Sequence, residues 1–538
     1  MIPGLSLIGA GTDSCIVDSR NFPLSNNRTI TMQDNCLIAG FYIRTSNNLD
    51  YGFGIYSTGQ IGLITQNKFS NANAGVLLWS SDVDVYKNHY FNLRTGIYIY
   101  NSNSIVRKND VYTLTNTGDD GIFIDADNSS YIPVIDSNYI VSSDNGIYKG
   151  PGTRSTIKNN EIKLVNGSDG IFIHSYVSDS NWVFNNTVYT NIGDYALYTN
   201  GSNHLQIKNN YSNGNFRFYA FSIGSNHKVI NNVVTGAEGG VEAWGTQNMV
   251  FQHNDVWKNE DNYYGFTPDT SNLSVNPMVV NDDTTQGELD FHLQMFSPLI
   301  DAGDPTILDK DSTRSDIGLY GGPYGESYVY FDLPPRTPVN LTANVDSLIK
   351  LNWNKNTEAD FSYYNIYRDT AFNFTVDSTK LIASVTDTFY YQTFPSNIET
   401  LYYKLTAMDN QGNESNPSEE VAVILVSVKN EWKAVNNYIL YQNYPNPFNP
   451  STKIGYKLKE RGYVKLYVYD IKGELVSVLV NEVREAGYYE VNFDAGVNGQ
   501  KSNVKGELAS GVYIYQIMVA GENNIPVFSD IKKMVYVK

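Results

Sequence analysis

The sequence predicts an all-β protein, with a solenoid of stacked β-coils over residues 1–325 and two smaller β-sandwich domains after it. Three observations lead to this architecture. An asparagine returns at Asn67, Asn88, Asn109, Asn138, Asn160, Asn186, Asn210, Asn232 and Asn254, at intervals of 21 to 29 residues. A strand motif recurs in phase with it: Gly54-Ile55-Tyr56, Gly75-Val76-Leu77, Gly96-Ile97-Tyr98, Gly121-Ile122-Phe123, Gly146-Ile147-Tyr148, Gly170-Ile171-Phe172, Ala196-Leu197-Tyr198 and Gly240-Val241-Glu242. Beyond the proline cluster Leu333-Pro334-Pro335-Arg336-Thr337-Pro338 the repeat never resumes, and short alternating strands replace it.

A period of this size means a stacked solenoid in which each coil contacts only its neighbours. Leucine-rich repeats share the period, but their L-x-x-L-x-L pattern is missing, and β-branched, aromatic, Gly and Asn residues dominate. A parallel β-helix fits better. Stacking aligns like residues, so Ile and Val columns fill the interior and asparagine amides hydrogen-bond along a turn. The asparagines are therefore structural, and an apolar residue usually follows two places on, as at Phe69, Tyr90, Val111, Ile140, Ile162 and Val188.

At 538 residues the chain needs several domains, and 41% hydrophobic with 17% charged residues fits folded β modules. A formal charge of −18 with scattered basic residues argues against nucleic-acid partners or an anionic membrane surface. An acidic polysaccharide stays open, because calcium can bridge carboxylates on both sides. Cys15 and Cys36 lie 21 residues apart, one coil, which would set them side by side as a disulfide or as two buried thiols. No apolar window is long enough for a transmembrane helix. The opening Met1-Ile2-Pro3-Gly4-Leu5 lacks the basic start and apolar core of a signal peptide and reads as the middle of a first coil. The expectation is a chain truncated at its N-terminus, lacking a signal peptide and a cap.

Residues 1–323 resemble the right-handed parallel β-helix (pectate-lyase-like) family of secreted bacterial proteins. Asn276-Pro277-Met278, Phe291-His292-Leu293-Gln294, Ser297–Pro305 and Asp316-Ile317-Gly318 before Gly321-Gly322-Pro323 look like the segment that closes such helices. After a linker at 326–338, residues 339–428 resemble a fibronectin type III sandwich, with Trp353 as its core residue and Tyr403 as its tyrosine corner. Residues 435–538 are similar to the C-terminal sorting domain of type IX secretion cargo. The match rests on Tyr441–Thr452 with its Pro-Asn-Pro-Phe-Asn-Pro run, Val468-Tyr469-Asp470-Ile471-Lys472-Gly473, Leu508–Tyr515, and Lys532-Lys533-Met534. These resemblances imply a right-handed parallel β-helix solenoid followed by two β-sandwich domains. They also imply periplasmic transit, export by the type IX machinery, removal of the last domain, and release or attachment at the cell surface. A monomer is expected.

In Gly121-Ile122-Phe123-Ile124-Asp125 the isoleucines point inward and Phe123 and Asp125 outward. Carried to other coils, this register yields an outward column of Tyr56, Leu77, Tyr98, Phe123, Tyr148, Phe172 and Tyr198. A second column holds Trp79, Tyr100, Asp125, His174, Asn200 and Trp244, with Gly150 as a gap. Aromatic faces along a rigid sheet suit sugar rings, whereas rings stacked on one another would merely cement the ladder. The substrate-binding candidates are Trp79, Tyr98, Tyr100, Phe123, Tyr148, Phe172, Tyr198 and Trp244.

A carboxylate column precedes the same strand at Asp119 and Asp120, Asp144, Asp169 and Asp194, brought to within about 5 to 10 Å by one-coil spacing. Such charges need a cation, a shared proton or solvent. Calcium at Asp119, Asp120, Asp144 and Asp169 is one solution. A raised carboxyl pKa, as in the acid of a hydrolase, is the other. A uronic-acid lyase would also need a base, and Lys149, Arg154 and His174 lie nearest, although Lys149 falls at an inward position. The catalytic candidates are Asp120, Asp125, Asp169, His174 and Lys149. Against them, Asp before Gly is simply a favoured turn residue. The six histidines show no zinc spacing, and Asp309-Lys310-Asp311-Ser312-Thr313 fails as a calcium loop because Arg314 replaces the glycine and Tyr320 the closing carboxylate.

Two functions follow as expectations. One is a secreted, surface-associated protein that binds extracellular polysaccharide along one sheet, with cleavage as a lyase or glycosidase left open. The other is a non-catalytic adhesin or surface structural protein.

Overall fold

The structure is a computed structural model that describes all residues except 22–26, 46–51, 114–119, 129, 166–167, 175–179, 191–194, 202–203, 220–225, 247, 284, 286, 347, 394–399, 425–436, 497–507 and 522–524. Every regular element among the described residues is a β-strand.

The first part is a parallel β-helix with three faces per coil. In one coil the strands are Thr156–Lys158, Glu161–Leu164 and Asp169–His174; in the next they are Asn181–Phe184, Thr187–Thr190 and Tyr195–Asn200. Each strand pairs in parallel with its counterpart one coil along, as Thr156 with Trp182, Glu161 with Thr187 and Phe172 with Tyr198. The first face is an eleven-stranded sheet from Ser6–Ile8 to Val250–Gln252. The second and third faces are joined where Lys68–Trp79 and His89–Tyr100 run unbroken round the corner, bent at Asn71 and Asn92, both at positive φ. Alternation sends Ile157, Ile162, Ile171 and Ile173 into one continuous core.

The corner between the first two faces uses two residues. Gln66, Lys87, Lys108, Ser137, Asn159, Asn185, Asn209, Asn231 and His253 hold positive φ, turning the chain through a left-handed residue. The asparagine that follows is the ladder residue. Its backbone amide and its Nδ2 both donate to the Oδ1 of the next asparagine along the stack, as from Asn138 to Asn160 at 3.0 Å each. Its Nδ2 also reaches the carbonyl of the preceding coil, as from Asn160 to Ile135 at 3.0 Å. The ladder runs on past Asn254 to Asn272.

The repeated glycines mark a second constraint. A Cβ on Gly54, Gly75, Gly96, Gly121, Gly146 or Gly170 would lie 2.4–2.9 Å from the carbonyl oxygen of the equivalent residue one coil on. At Gly121 it would also meet Ile140 Cγ2 at 2.4 Å. Gly121→Ala is expected to cost about 1–3 kcal/mol through overpacking. Thermal unfolding followed by circular dichroism checks this, and an unchanged midpoint would refute it.

After the last coil, residues from Asn276 onward fold back over the helix. Phe291, Leu293, Leu299 and Ile317 pack with Tyr211 and Val233, which project outward from the second face. Asn185 Nδ2 donates to the carbonyls of Leu319 and Gly321, and Asn209 Nδ2 to those of Asp316 and Gly318. In the doublets Asn185-Asn186, Asn209-Asn210 and Asn231-Asn232 the first member grips the returning segment and the second builds the ladder.

Two sandwiches complete the chain. In one, Thr342–Val345, Ile349–Asn352 and Phe389–Gln392 face Leu381–Val385, Phe361–Asp369 and Thr400–Asp409, around buried Trp353 and Tyr364. In the other, Ile439–Leu440, Ser451–Leu458 and Gly487–Asp494 form one sheet. Leu475–Arg484, Gly462–Tyr469, Gly511–Ala520 and Pro526–Tyr536 form its partner, over Tyr456, Leu466, Phe493 and Tyr515. By compactness the chain divides into Met1–Gln392 with Tyr402–Val421, and Thr393–Leu401 with Ala422–Lys538.

One expectation changes. Cys15 and Cys36 are free and not neighbours: Ser6 registers with Leu37, so the first coil is longer than the interval between them, and Cys36 lies on the first face while Cys15 leads into the second. Among the described residues the Tyr403 hydroxyl donates to Gln392 Oε1 at 2.9 Å, and the Tyr364 hydroxyl accepts the Asn356 amide at 2.7 Å.

Candidate functional site

The third face carries the two outward columns. Tyr56, Leu77, Tyr98, Phe123, Tyr148, Phe172 and Tyr198 pair in consecutive register, followed by Arg217 and Glu242. Their rings rest on one another: Tyr98–Phe123 centroids lie 4.5 Å apart, Phe123–Tyr148 4.9 Å and Phe172–Tyr198 5.1 Å, all stacked, with Tyr148–Phe172 tilted at 5.1 Å. The ring faces are therefore taken up within the column. Edges remain for a ligand.

In the second column Trp79 is 43% exposed and stacks on Tyr100 at 4.4 Å, while Trp244 is 39% exposed and leans on Tyr264 at 4.6 Å. Tyr100 donates its hydroxyl to Asp127, which also accepts from Asn101 Nδ2 at 2.7 Å. Asp125 Oδ1 accepts the Ala126 amide at 2.8 Å and the Gly152 amide at 3.3 Å. A Cβ on Gly150 would meet the Asp125 carboxyl carbon at 2.5 Å, so the gap in the column is the space that carboxylate occupies. His174 registers with Asn200. Burial holds its imidazole below the ordinary value, Lys149 adds to the effect and Asp125 opposes it. The ring is thus neutral at neutral pH.

The other catalytic candidates are less available. Lys149 is 0% exposed and its Nζ donates to the His174 carbonyl at 3.3 Å, which places the ammonium inside the helix rather than at a surface. Asp120 accepts from Asn145 Nδ2 at 2.8 Å, and Asp169 is buried at the start of its strand. Asp119 and Asp194 lie outside the described residues. Asp120, Asp144 and Asp169 do not converge: among the described residues, three carboxylates with ligand oxygens within 4.8 Å of one another occur at Asp332, Asp360 and Asp409.

The first face carries a groove that repeat spacing alone does not locate. Here the outward residues Thr156, Trp182 and Gln206 register in one row and Lys158, Phe184 and Lys208 in the next, while Ile157, Val183 and Ile207 point inward. The returning segment walls the other side with Ile307, Pro323 and Tyr324, enclosing about 680 Å³. Phe184 stacks on Tyr324 at 5.5 Å, and Lys158 Nζ lies 4.8 Å from the Tyr324 ring centre. Burial lowers the Lys208 pKa, the neighbouring Lys228 lowers it further, and Asp304 opposes both. An anion in the groove would relieve that strain. The available signal was Trp182 alternating with buried Val183, but the wall comes from residues more than a hundred positions away.

A family model described as "Periplasmic copper-binding protein (NosD)" matches residues 26–219, a family of parallel β-helices. Copper favours imidazole and sulfur donors. Among the described residues the three-carboxylate set at Asp332, Asp360 and Asp409 is the one such convergence of His, Cys, Asp or Glu, and Cys15 and Cys36 sit on separate faces. These residues do not fit copper.

No curated protein matches the chain. Among solved structures, the spore cortex lytic enzyme SleM of Clostridium perfringens aligns at 18% identity over 19% of this chain and 32% of its own, with a TM-score of 0.15. A central fibronectin-III array of RIM-binding protein aligns at 10% identity over 38% and 69%, with a TM-score of 0.14. The α-L-rhamnosidase from Dictyoglumus thermophilum aligns at 14% identity over 37% and 28%, with a TM-score of 0.16. The chain spans about a third of the lytic enzyme's length. Scores this low carry no argument about fold or activity, and the architecture rests on the chain's own register and on the family match to its β-helix.

Proposed function

We propose that this is an exported β-helix protein that binds an acidic extracellular polysaccharide. The carrying observation is the first-face groove, in which Trp182, Phe184 and Tyr324 stand beside Gln206, Lys208, Thr156 and Ser180. Aromatic walls take sugar rings, hydroxyl and amide groups take sugar hydroxyls, and Lys208 takes a carboxylate or sulfate. The match to a family described as periplasmic supports a place outside the cytoplasm. The sorting-domain resemblance of residues 435–538 supports passage through the type IX machinery to the cell surface.

Cleavage, as lyase or glycosidase, would fall to the half-buried Asp125 and His174, whose column runs between the exposed Trp79 and Trp244 over seven strand steps, about 34 Å. The stacked rings of the neighbouring column favour the second reading, a non-catalytic adhesin. Incubation with acidic and neutral polysaccharides separates them. Unsaturated products absorbing in the ultraviolet or new reducing ends establish an enzyme. Retention on an acidic glycan without product leaves a binding protein, and no retention on any glycan refutes the proposal.

A further inference from the structure

The row of the first face that holds Lys158, Phe184 and Lys208 continues through Asp136 and Arg107 to Tyr86, each residue registering with the next in consecutive coils. Lys87 and Lys108 follow Tyr86 and Arg107 at the corner, both at positive φ. The Arg107 guanidinium lies 5.0 Å from the Tyr86 ring centre and the Lys87 ammonium 5.1 Å. Lys87 lowers the Tyr86 pKa, and Lys108 and Arg107 add to the effect, so three cations bear on one ring.

Lys87, Arg107 and Lys108 are exposed, and among the described residues none of them pairs with a carboxylate. The nearby acids are engaged elsewhere. Asp136, which registers with Arg107, pairs with Lys158 at 3.8 Å and accepts Asn159 Nδ2 at 3.0 Å, and Asp84 accepts the Ile105 amide at 3.4 Å. In a chain of formal charge −18, three uncompensated cations on two adjacent coils form a local positive patch that attracts an anion.

The patch lies on the line of the groove. Arg107 stands four strand steps from Lys208, about 19 Å, with the Asp136–Lys158 pair between them and Trp182 in the adjoining row. An extended glycan advances by close to one strand spacing per ring, so a chain laid along the solenoid axis sets one ring on each coil. We propose that Lys87, Arg107 and Lys108 form a second anionic subsite, about four sugar rings from Lys208, and that the acidic polysaccharide lies along the solenoid axis, across the strands. This inference rests on the reading of the groove as a polysaccharide site. A ligand long enough to reach both ends makes its second ionic contact intramolecularly, so affinity depends on length.

Oligogalacturonides, which carry carboxylates, and heparin oligosaccharides, which carry chiefly sulfates, each of two and six residues, are titrated calorimetrically into the intact chain. In at least one series the hexasaccharide is expected to bind the parent at least tenfold more tightly than the disaccharide. Arg107→Ala combined with Lys108→Ala should remove most of that gain and leave disaccharide affinity unchanged. Lys163→Ala combined with Lys465→Ala removes the same charge from the second face and the last sandwich, and should leave hexasaccharide binding intact. Equal hexasaccharide affinity in the Arg107/Lys108 variant and the parent, an equal loss in the Lys163/Lys465 variant, or a parent that binds both lengths alike overturns the subsite. Weakened binding in Lys208→Ala under any of those outcomes leaves the groove reading standing, whereas a parent that binds neither series removes both.

Discussion

Asn160→Ala is expected to lower the stability of the β-helix by on the order of 4 kcal/mol, because one side chain serves three coils at once. Its Oδ1 accepts both the backbone amide and the Nδ2 of Asn138 at 3.0 Å. Its Nδ2 donates to the carbonyls of Ile135 at 3.0 Å and Lys158 at 2.9 Å, and to Asn186 Oδ1 at 2.9 Å. Alanine would leave these partners inside the stack, each unmet buried group costing about 1–3 kcal/mol, partly relieved by relaxation. The neighbouring amides share the loss, since Asn138 and Asn186 are themselves rungs. Denaturant unfolding followed by circular dichroism measures the change. A cost below about 1 kcal/mol would show that water or a rearranged turn replaces the amide and that the ladder is not a cooperative element.

Asp255→Asn is expected to act in the opposite direction, and only above mildly acidic pH. Asp255 is fully buried; one oxygen accepts the Val275 amide at 3.0 Å and the other has no hydrogen-bond partner among the described residues. Desolvation pushes its pKa up to about 7, against an ordinary 3.8. Below the ordinary value both folded and unfolded chains are protonated. Between about 4 and 7 the folded chain holds a proton that the unfolded chain has released, so stability falls as pH rises, by up to about 4 kcal/mol in total. Asparagine removes this dependence. The variant should match the parent near pH 4 and melt higher at pH 8. Equal shifts at both pH values would mean that Asp255 is ionised and solvated in the folded protein. His227 has the opposite sign: burial lowers its pKa to about 4, so its contribution is lost as pH falls from 6.5 towards 4. Comparing Asp255→Asn with the parent at each pH cancels that background.

Much of the solenoid was legible because its constraints are local and repeated. The asparagine after a left-handed residue and the glycine pressed against the next carbonyl recur in every coil that needs them, and the period of two along each strand set the outward columns. Features that depend on chain return were not legible. The groove needs Ile307, Pro323 and Tyr324 to arrive opposite Trp182, and the three-carboxylate cluster needs a residue from the segment after the β-helix to meet two strand ends. Asp120, Asp144 and Asp169 illustrate the limit of spacing arguments: they follow one another by about one coil, yet among the described residues they form no three-carboxylate set. Lys149 shows the reverse: the pattern put it inward despite its charge, and it is buried there.

The most direct measurement is calorimetric titration of the intact chain with a soluble acidic oligosaccharide, comparing the parent with Trp182→Ala, Lys208→Ala and Trp79→Ala. The account predicts that Trp182→Ala and Lys208→Ala each weaken binding at least tenfold while Trp79→Ala changes it little, with added salt reducing affinity of the parent more than that of Lys208→Ala. Undiminished binding in Trp182→Ala and Lys208→Ala, or no binding by the parent, would contradict it.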